Sequence, residues 1–137
     1  MLEIKNSEIE LTITVDDTET NSADYPYYER HIKLLITFIT GGIKYTSIWG
    51  CYNGELETFR SNLTDLKYSN NSNPVVFSPR EENSTLAIKK ITTPYESHVL
   101  ILKLFSSLNS ETFIHSKSIL DQSYLPVIIR GISDLLK

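Results

Sequence analysis

The sequence predicts an α+β fold: a mainly antiparallel β-sheet with two amphipathic helices packed on one face. Three observations point there. Runs of alternating apolar and polar residues recur along the chain, a Gly-Gly pair sits between two of them, and two stretches switch to a helical period. With 137 residues, a single domain over 1–137 is expected, long enough to bury a core without disulfides or metal.

Residues 8–15 set Ile9, Leu11, Ile13 and Val15 against Glu10, Thr12 and Thr14, the pattern of a half-buried strand. Residues 16–29 have no period, carry Pro26 and are rich in Asp, Thr, Asn and Ser, so an exposed loop is expected. Residues 31–52 predict a hairpin turning at Gly41-Gly42, since a two-residue turn needs the positive φ that glycine allows. Pairing Thr40 with Ile43 puts Phe38 opposite Tyr45, Ile36 opposite Ser47, Leu34 opposite Trp49 and Ile32 opposite Cys51. One face is then apolar enough to receive a helix. The other carries Leu35, Ile39 and Ile48 among polar residues.

That helix follows at once. Asn53 or Gly54 is placed to cap it, Glu55 and Glu57 suit its positive end, and Lys67 suits its last turn. Leu56, Phe59, Leu63 and Leu66 form one apolar stripe. Residues 75–77 and 85–91 then read as one strand pair, and 98–105 with 112–120 as another, giving a sheet of about six to eight strands. A second helix opens at Asp121 or Ser123, tolerates Pro126 in its first turn, and presents Leu125, Ile128, Ile129, Ile132, Leu135 and Leu136. Gly131 weakens it by roughly 1 kcal/mol relative to Ala. No internal repeat or linker is evident.

The net charge of −4 is unevenly spread. Residues 1–30 hold eight acids against Lys5 and Arg30, a local balance of −6, leaving +2 for the rest. Such a surface disfavours nucleic acid, whose phosphates need clustered Lys and Arg, and suits a basic protein partner. One cysteine excludes an internal disulfide. The N-terminal residues show no apolar signal region and no stretch has the length of a membrane span, so a cytoplasmic protein with no membrane partner is expected.

Residues suited to catalysis are few and scattered. Cys51 falls on the predicted core face, where a thiol is inert. His98 and His115 face each other at most across a hairpin, with no acid or third ligand for zinc. No serine stands in a nucleophile-elbow spacing and no glycine-rich phosphate loop exists. The pairs Asp16-Asp17 and Glu81-Glu82 lie in expected loops as solvated charge. The reading is therefore of a non-enzyme with no metal and no cofactor.

What remains is an acidic segment bearing three tyrosines, a residue enriched at interfaces because its ring is large, rigid and amphipathic. The candidate partner-binding patch is Asp16, Asp17, Glu19, Asp24, Tyr25, Tyr27, Tyr28 and Glu29. The alternative is that these tyrosines pack back on the sheet and the acids only keep the protein in solution.

Two motifs carry a family likeness. A hairpin runs into a helix reading Glu55-Leu56-x-x-Phe59-x-x-x-Leu63-x-x-Leu66, and a terminal strand breaks at Asp121-x-Ser123-Tyr124-Leu125 into a second helix. Over residues 30–137 this layout resembles the WapI-type immunity proteins of bacterial contact-dependent toxin systems. The resemblance implies a protein that neutralises a cognate toxin, often a basic nuclease, by occluding its active site. It transfers no binding residue by motif. A competing reading is a small-molecule binding module whose cavity, between sheet and helices, is lined by Tyr45, Trp49 and Phe59.

Overall fold

The computed structural model describes residues 1–18, 25–69, 73–80, 82–92, 96–105 and 113–136, without the side chains of residues 17 and 18. Four antiparallel strands come first, β1 (Leu2–Lys5), β2 (Ile9–Thr18), β3 (His31–Thr40) and β4 (Ile43–Tyr52), with a 3₁₀ turn at Tyr27–Glu29, and then α1 (Asn53–Tyr68). The same order follows again: β5 (Val75–Phe77), β6 (Thr85–Ile91), β7 (Ser97–Phe105), β8 (Phe113–Asp121) and α2 (Tyr124–Leu135). The strands divide into two four-stranded meanders, β1-β2-β3-β4 and β5-β6-β7-β8. The class is α+β and every pairing is antiparallel.

The β3–β4 hairpin has the expected register throughout, from Thr40 opposite Ile43 to Ile32 opposite Cys51. Gly41 and Gly42 turn it at φ of 50° and 81°, values open to glycine at little cost. Trp49, Cys51, Phe38, Leu34 and Ile36 are buried on its inner face. One strand went unread in the sequence and one reading needs correcting. β1 pairs with β2 although four residues give too short a period to read. Strand β2 continues through Asp16 and Asp17, expected in a loop, because a bulge between Val15 and Asp17 admits an extra residue. The bulge disrupts the alternation, so Val15 is 38% exposed where burial was expected.

Two successive four-strand-plus-helix units amount to an internal repeat of architecture that the sequence did not reveal. The packing is reciprocal. Helix α1 lies on β5, the first strand of the second unit, and α2 lies on β1, the first strand of the first. The two helices also touch. Their buried stripes are Leu56, Phe59, Leu63, Leu66 and Leu125, Ile128, Ile132, Leu135, both spaced i, i+3, i+7, i+10. Each buried side chain contributes about 1.5–3 kcal/mol, and all eight join one apolar cluster with the inner faces of both sheets. Among the described residues, no helix is long and apolar enough to cross a membrane.

Both motifs behind the family likeness are used by the fold. Neither Asn53 nor Gly54 caps α1. The cap is Tyr52, whose N–H donates to Glu55 Oε1 at 3.0 Å, while Arg80 N–H donates to Oε2 of the same carboxylate at 3.0 Å. At the other helix, Asp121 Oδ1 accepts Ser123 N–H at 2.8 Å and also the Ser123 hydroxyl, and these bonds hold the Asp121 carboxyl below its usual range. Tyr124 Oη donates to Lys5 O at 2.7 Å, pinning α2 to the end of β1. Leu125 is buried.

Candidate functional site

A cleft of about 860 Å³ opens where the 3₁₀ turn, the end of β4, the first turns of α1 and the end of β5 meet. Buried Phe59 and Phe77, with rings 5.4 Å apart, form its floor. Tyr25, Tyr28 and Tyr52 supply phenol groups around it, and Glu29, Glu55 and Arg80 supply charge. The Arg80 guanidinium sits 5.8 Å above the Tyr52 ring, and Tyr52 also meets His31 edge-on.

The chain fixes this arrangement at several points. A Cβ on Gly54 would stand 3.0 Å from Tyr28 O, so the absence of a side chain there lets the 3₁₀ turn lie directly on α1. Asn53 N–H donates to Arg30 O at 3.0 Å, and Arg30 Nε donates to Tyr25 O at 3.2 Å. Tyr27 Oη donates to Glu57 Oε1 at 3.0 Å. Burial and that carboxylate raise the Tyr27 phenol above its ordinary value. Glu57 pairs with Arg60, which donates to Ser133 Oγ of α2 at 3.1 Å. One polar chain thus ties the tyrosine turn to both helices.

Of the residues singled out in the sequence, the structure brings Tyr25, Tyr28 and Glu29 together at the mouth of the cleft. Tyr25 and Tyr28 are 55% and 63% exposed, so these two rings do not pack back on the sheet. Tyr27 is half-buried, with its hydroxyl already engaged. Asp16 is exposed on β2, away from the cleft lining, and Asp17 lies in register with Lys33. Glu19 and Asp24 fall outside the described residues. Sequence reading missed Tyr52, Glu55, Phe77 and Arg80 as cleft residues. Only the tertiary fold carries the segment around Arg80 to the start of α1.

The cavity expected between sheet and helices is not the one found. Trp49 is buried in the core, and Tyr45 spends its hydroxyl on Phe105 O at 3.0 Å. Only Phe59 of that trio reaches the cleft. The two histidines also part company: His98 points inward opposite Leu120, while His115 is exposed opposite Lys103. Among the described residues, no three His, Cys, Asp or Glu side chains are grouped to hold a metal.

His98 is 2% exposed and neither ring nitrogen has a hydrogen-bond partner. Burial lowers its pKa from the ordinary 6.5, with Glu96 opposing the shift and Lys90 adding to it. A histidine depressed in the folded state binds its proton first in the unfolded chain, so acid favours unfolding. Stability is expected to fall as pH drops below about 6.5, by at most about 1.4 kcal/mol per pH unit from this residue. Urea denaturation between pH 7.5 and 5 checks this. The dependence should flatten in His98→Leu, and an unchanged slope in that variant would assign it elsewhere.

No protein-family model matches the chain, and no curated protein sequence does. Among solved structures it is similar to the plant transcriptional regulator PBF-2, with a TM-score of 0.51 and 10% identity over 98% of this chain and 78% of that one. At that identity the likeness extends to the fold alone.

Proposed function

We propose that this protein is an immunity protein that binds a cognate toxin, a basic nuclease, and neutralises it by occluding the active site. The observation that carries this reading is the exposed Tyr25–Tyr28 pair, set with Glu29 at the rim of a rigidly tied cleft. Large exposed aromatic groups on a preformed rim supply contact area without an ordering cost. The acids of the N-terminal region add attraction for a cationic groove and speed its capture. The motif likeness to WapI-type proteins supports the same reading, which has the protein act in the bacterial cytoplasm.

Co-expression with the cognate toxin should restore growth. Tyr28→Ala should weaken the complex about 30-fold, or about 2 kcal/mol, as expected for a central aromatic anchor. Asp16→Lys combined with Glu29→Lys should slow association most at low salt, as stopped-flow mixing would show. Unchanged affinity and unchanged on-rate in these variants would remove this surface from the contact.

The cleft volume favours one alternative, a small planar ligand held between Tyr28 and Tyr52, since ligand sites span roughly 300–1,000 Å³. A metabolite that raises the melting temperature of the wild type but not of Tyr52→Ala would select it over the toxin reading.

A further inference from the structure

The outward face of the second sheet has a chemistry of its own. Along β6, β7 and β8 the odd-numbered side chains point outward, their even-numbered neighbours being mostly buried. Register aligns the outward residues in rows. Phe105 stands opposite Phe113, then Thr85, Lys103 and His115 share a row, then Ala87, Ile101 and Lys117, then Lys89, Val99 and Ile119. Successive rows are about 7 Å apart, two residues of strand rise. Each of the last three presents at least one lysine beside apolar or aromatic surface.

The cations are available. Lys89, Lys103, His115 and Lys117 are exposed, and none of the three lysines is ion-paired with another described residue. One carboxylate, Asp121, occupies an outward position on these strands, at the end farthest from the phenylalanines. The first sheet differs: its outward face mixes Glu3 and Glu10 with Lys5, Lys33 and Lys44 and has no stacked aromatic pair among the described residues. At one corner of the second sheet the rings of Phe105 and Phe113 stack, with centroids 5.2 Å apart and planes at 27°. Phe113 is 56% exposed and Ile119 71%. So much apolar surface among lysines with no ion pair among the described residues is unusual for a face that meets only water.

We propose that this face binds single-stranded nucleic acid. The lysine rows lie along the sheet where a phosphate backbone would run, and the phenylalanine pair offers a platform on which an unpaired base stacks. Among the described residues the face is an open sheet, with no projecting helix or ribbon to enter a duplex groove, so the strand it suits is a single one. An acidic protein segment would use the lysines but has no need of the stacked rings. Glu3, Glu10 and Asp16 lie on strands of the other sheet, so the charge of the whole chain is not the charge of this face. The proposal stands apart from the toxin reading, which uses the cleft around Tyr28.

Fluorescence anisotropy with labelled twelve-nucleotide DNA and RNA single strands tests it, with the same DNA as duplex and a glutamate-rich peptide as comparison ligands. Binding of either single strand is expected with Kd on the order of 10 μM at low salt. The logarithm of affinity should fall against the logarithm of salt with a slope of about −2, for roughly three phosphate contacts. The duplex and the acidic peptide should bind at least about tenfold more weakly. Phe113→Ala, on an exposed edge position, should weaken single-strand binding about 5- to 100-fold, and Lys103→Gln with Lys117→Gln should flatten the salt slope. Tyr28→Ala should leave this binding unchanged, and circular dichroism should confirm that each variant is folded. The proposal is overturned by no binding of either single strand at 100 μM protein (a concentration about tenfold above the expected Kd), by equal binding of duplex or acidic peptide, or by folded Phe113→Ala and double-glutamine variants that bind like wild type.

Discussion

Gly131→Ala is expected to destabilise the protein by about 3 kcal/mol, although on an isolated helix the same change would stabilise by roughly 1 kcal/mol. The two effects have opposite sign, so the measurement discriminates sharply. Gly131 is where α2 meets β1: a Cβ there would lie 2.9 Å from both Cα and Cβ of Leu2. Real side chains do not approach that closely, and the obstructing atoms belong to the strand rather than to a flexible side-chain end. Either β1 moves off the helix or α2 rolls, and both expose Leu2, Ile128 and Ile132, which are buried now. Urea unfolding reports the loss, and hydrogen exchange should show it first at the amides of β1. A variant as stable as wild type would mean that the helix stands further from the strand than described.

Lys90→Met should cost about 3 kcal/mol. Lys90 points into the protein from β6, and its ammonium donates to Ser69 O at 2.9 Å and to Leu66 O and Lys67 O at 3.4 Å. A helix ends with carbonyls that have no partner within it, and its dipole leaves that end negative. One buried cation therefore satisfies the end of α1, and Glu96 at 3.4 Å balances its charge. Methionine matches the length and removes the donor: Leu66 O keeps its bond from Ser69 N–H at 3.3 Å, but the turn loses its cation, and a buried polar group left unsatisfied costs about 1–3 kcal/mol. Hydrogen exchange should accelerate in the last turn of α1 before the rest of the helix. If stability changes by less than about 0.5 kcal/mol, water reaches those carbonyls and the lysine is dispensable.

The legible parts of the fold were those with local causes. The β3–β4 register follows from two glycines and a twenty-residue alternation, and every cross-strand pair written from it stands. The α1 and α2 stripes follow from helical period, and their members are buried. What escaped was non-local. Strand β1 is too short to show a period, and the bulge at Asp16 is invisible until β3 supplies the register. The division into two sheets turns on where strands pair across loops, which alternation does not encode. The repeat left one trace, the identical i, i+3, i+7, i+10 spacing of the two helices, obscured by unequal loops and unrelated outward residues.

The candidate site divides the same way. Three tyrosines in an acidic segment were a sound reason to look there, and two of them do face outward. Tyr27 reads like its neighbours in one dimension, but a 3₁₀ turn rotates it toward Glu57. Arg80, which completes the far wall, sits in a segment whose only local signal was turn-forming residues.

The crosswise seating of the helices has a consequence for how the molecule forms. Strand β1 precedes its covering helix by some 120 residues, so during synthesis it waits bare while the strands and the helix between them emerge. Neither half is expected to persist as an independent intermediate, because each would expose the stripe that the other covers. Closure should come late and slowly, by joining distant ends, with a long-range loop entropy to overcome. Two nascent chains held side by side on one messenger could exchange these helices, giving an interlocked pair instead of two separate molecules.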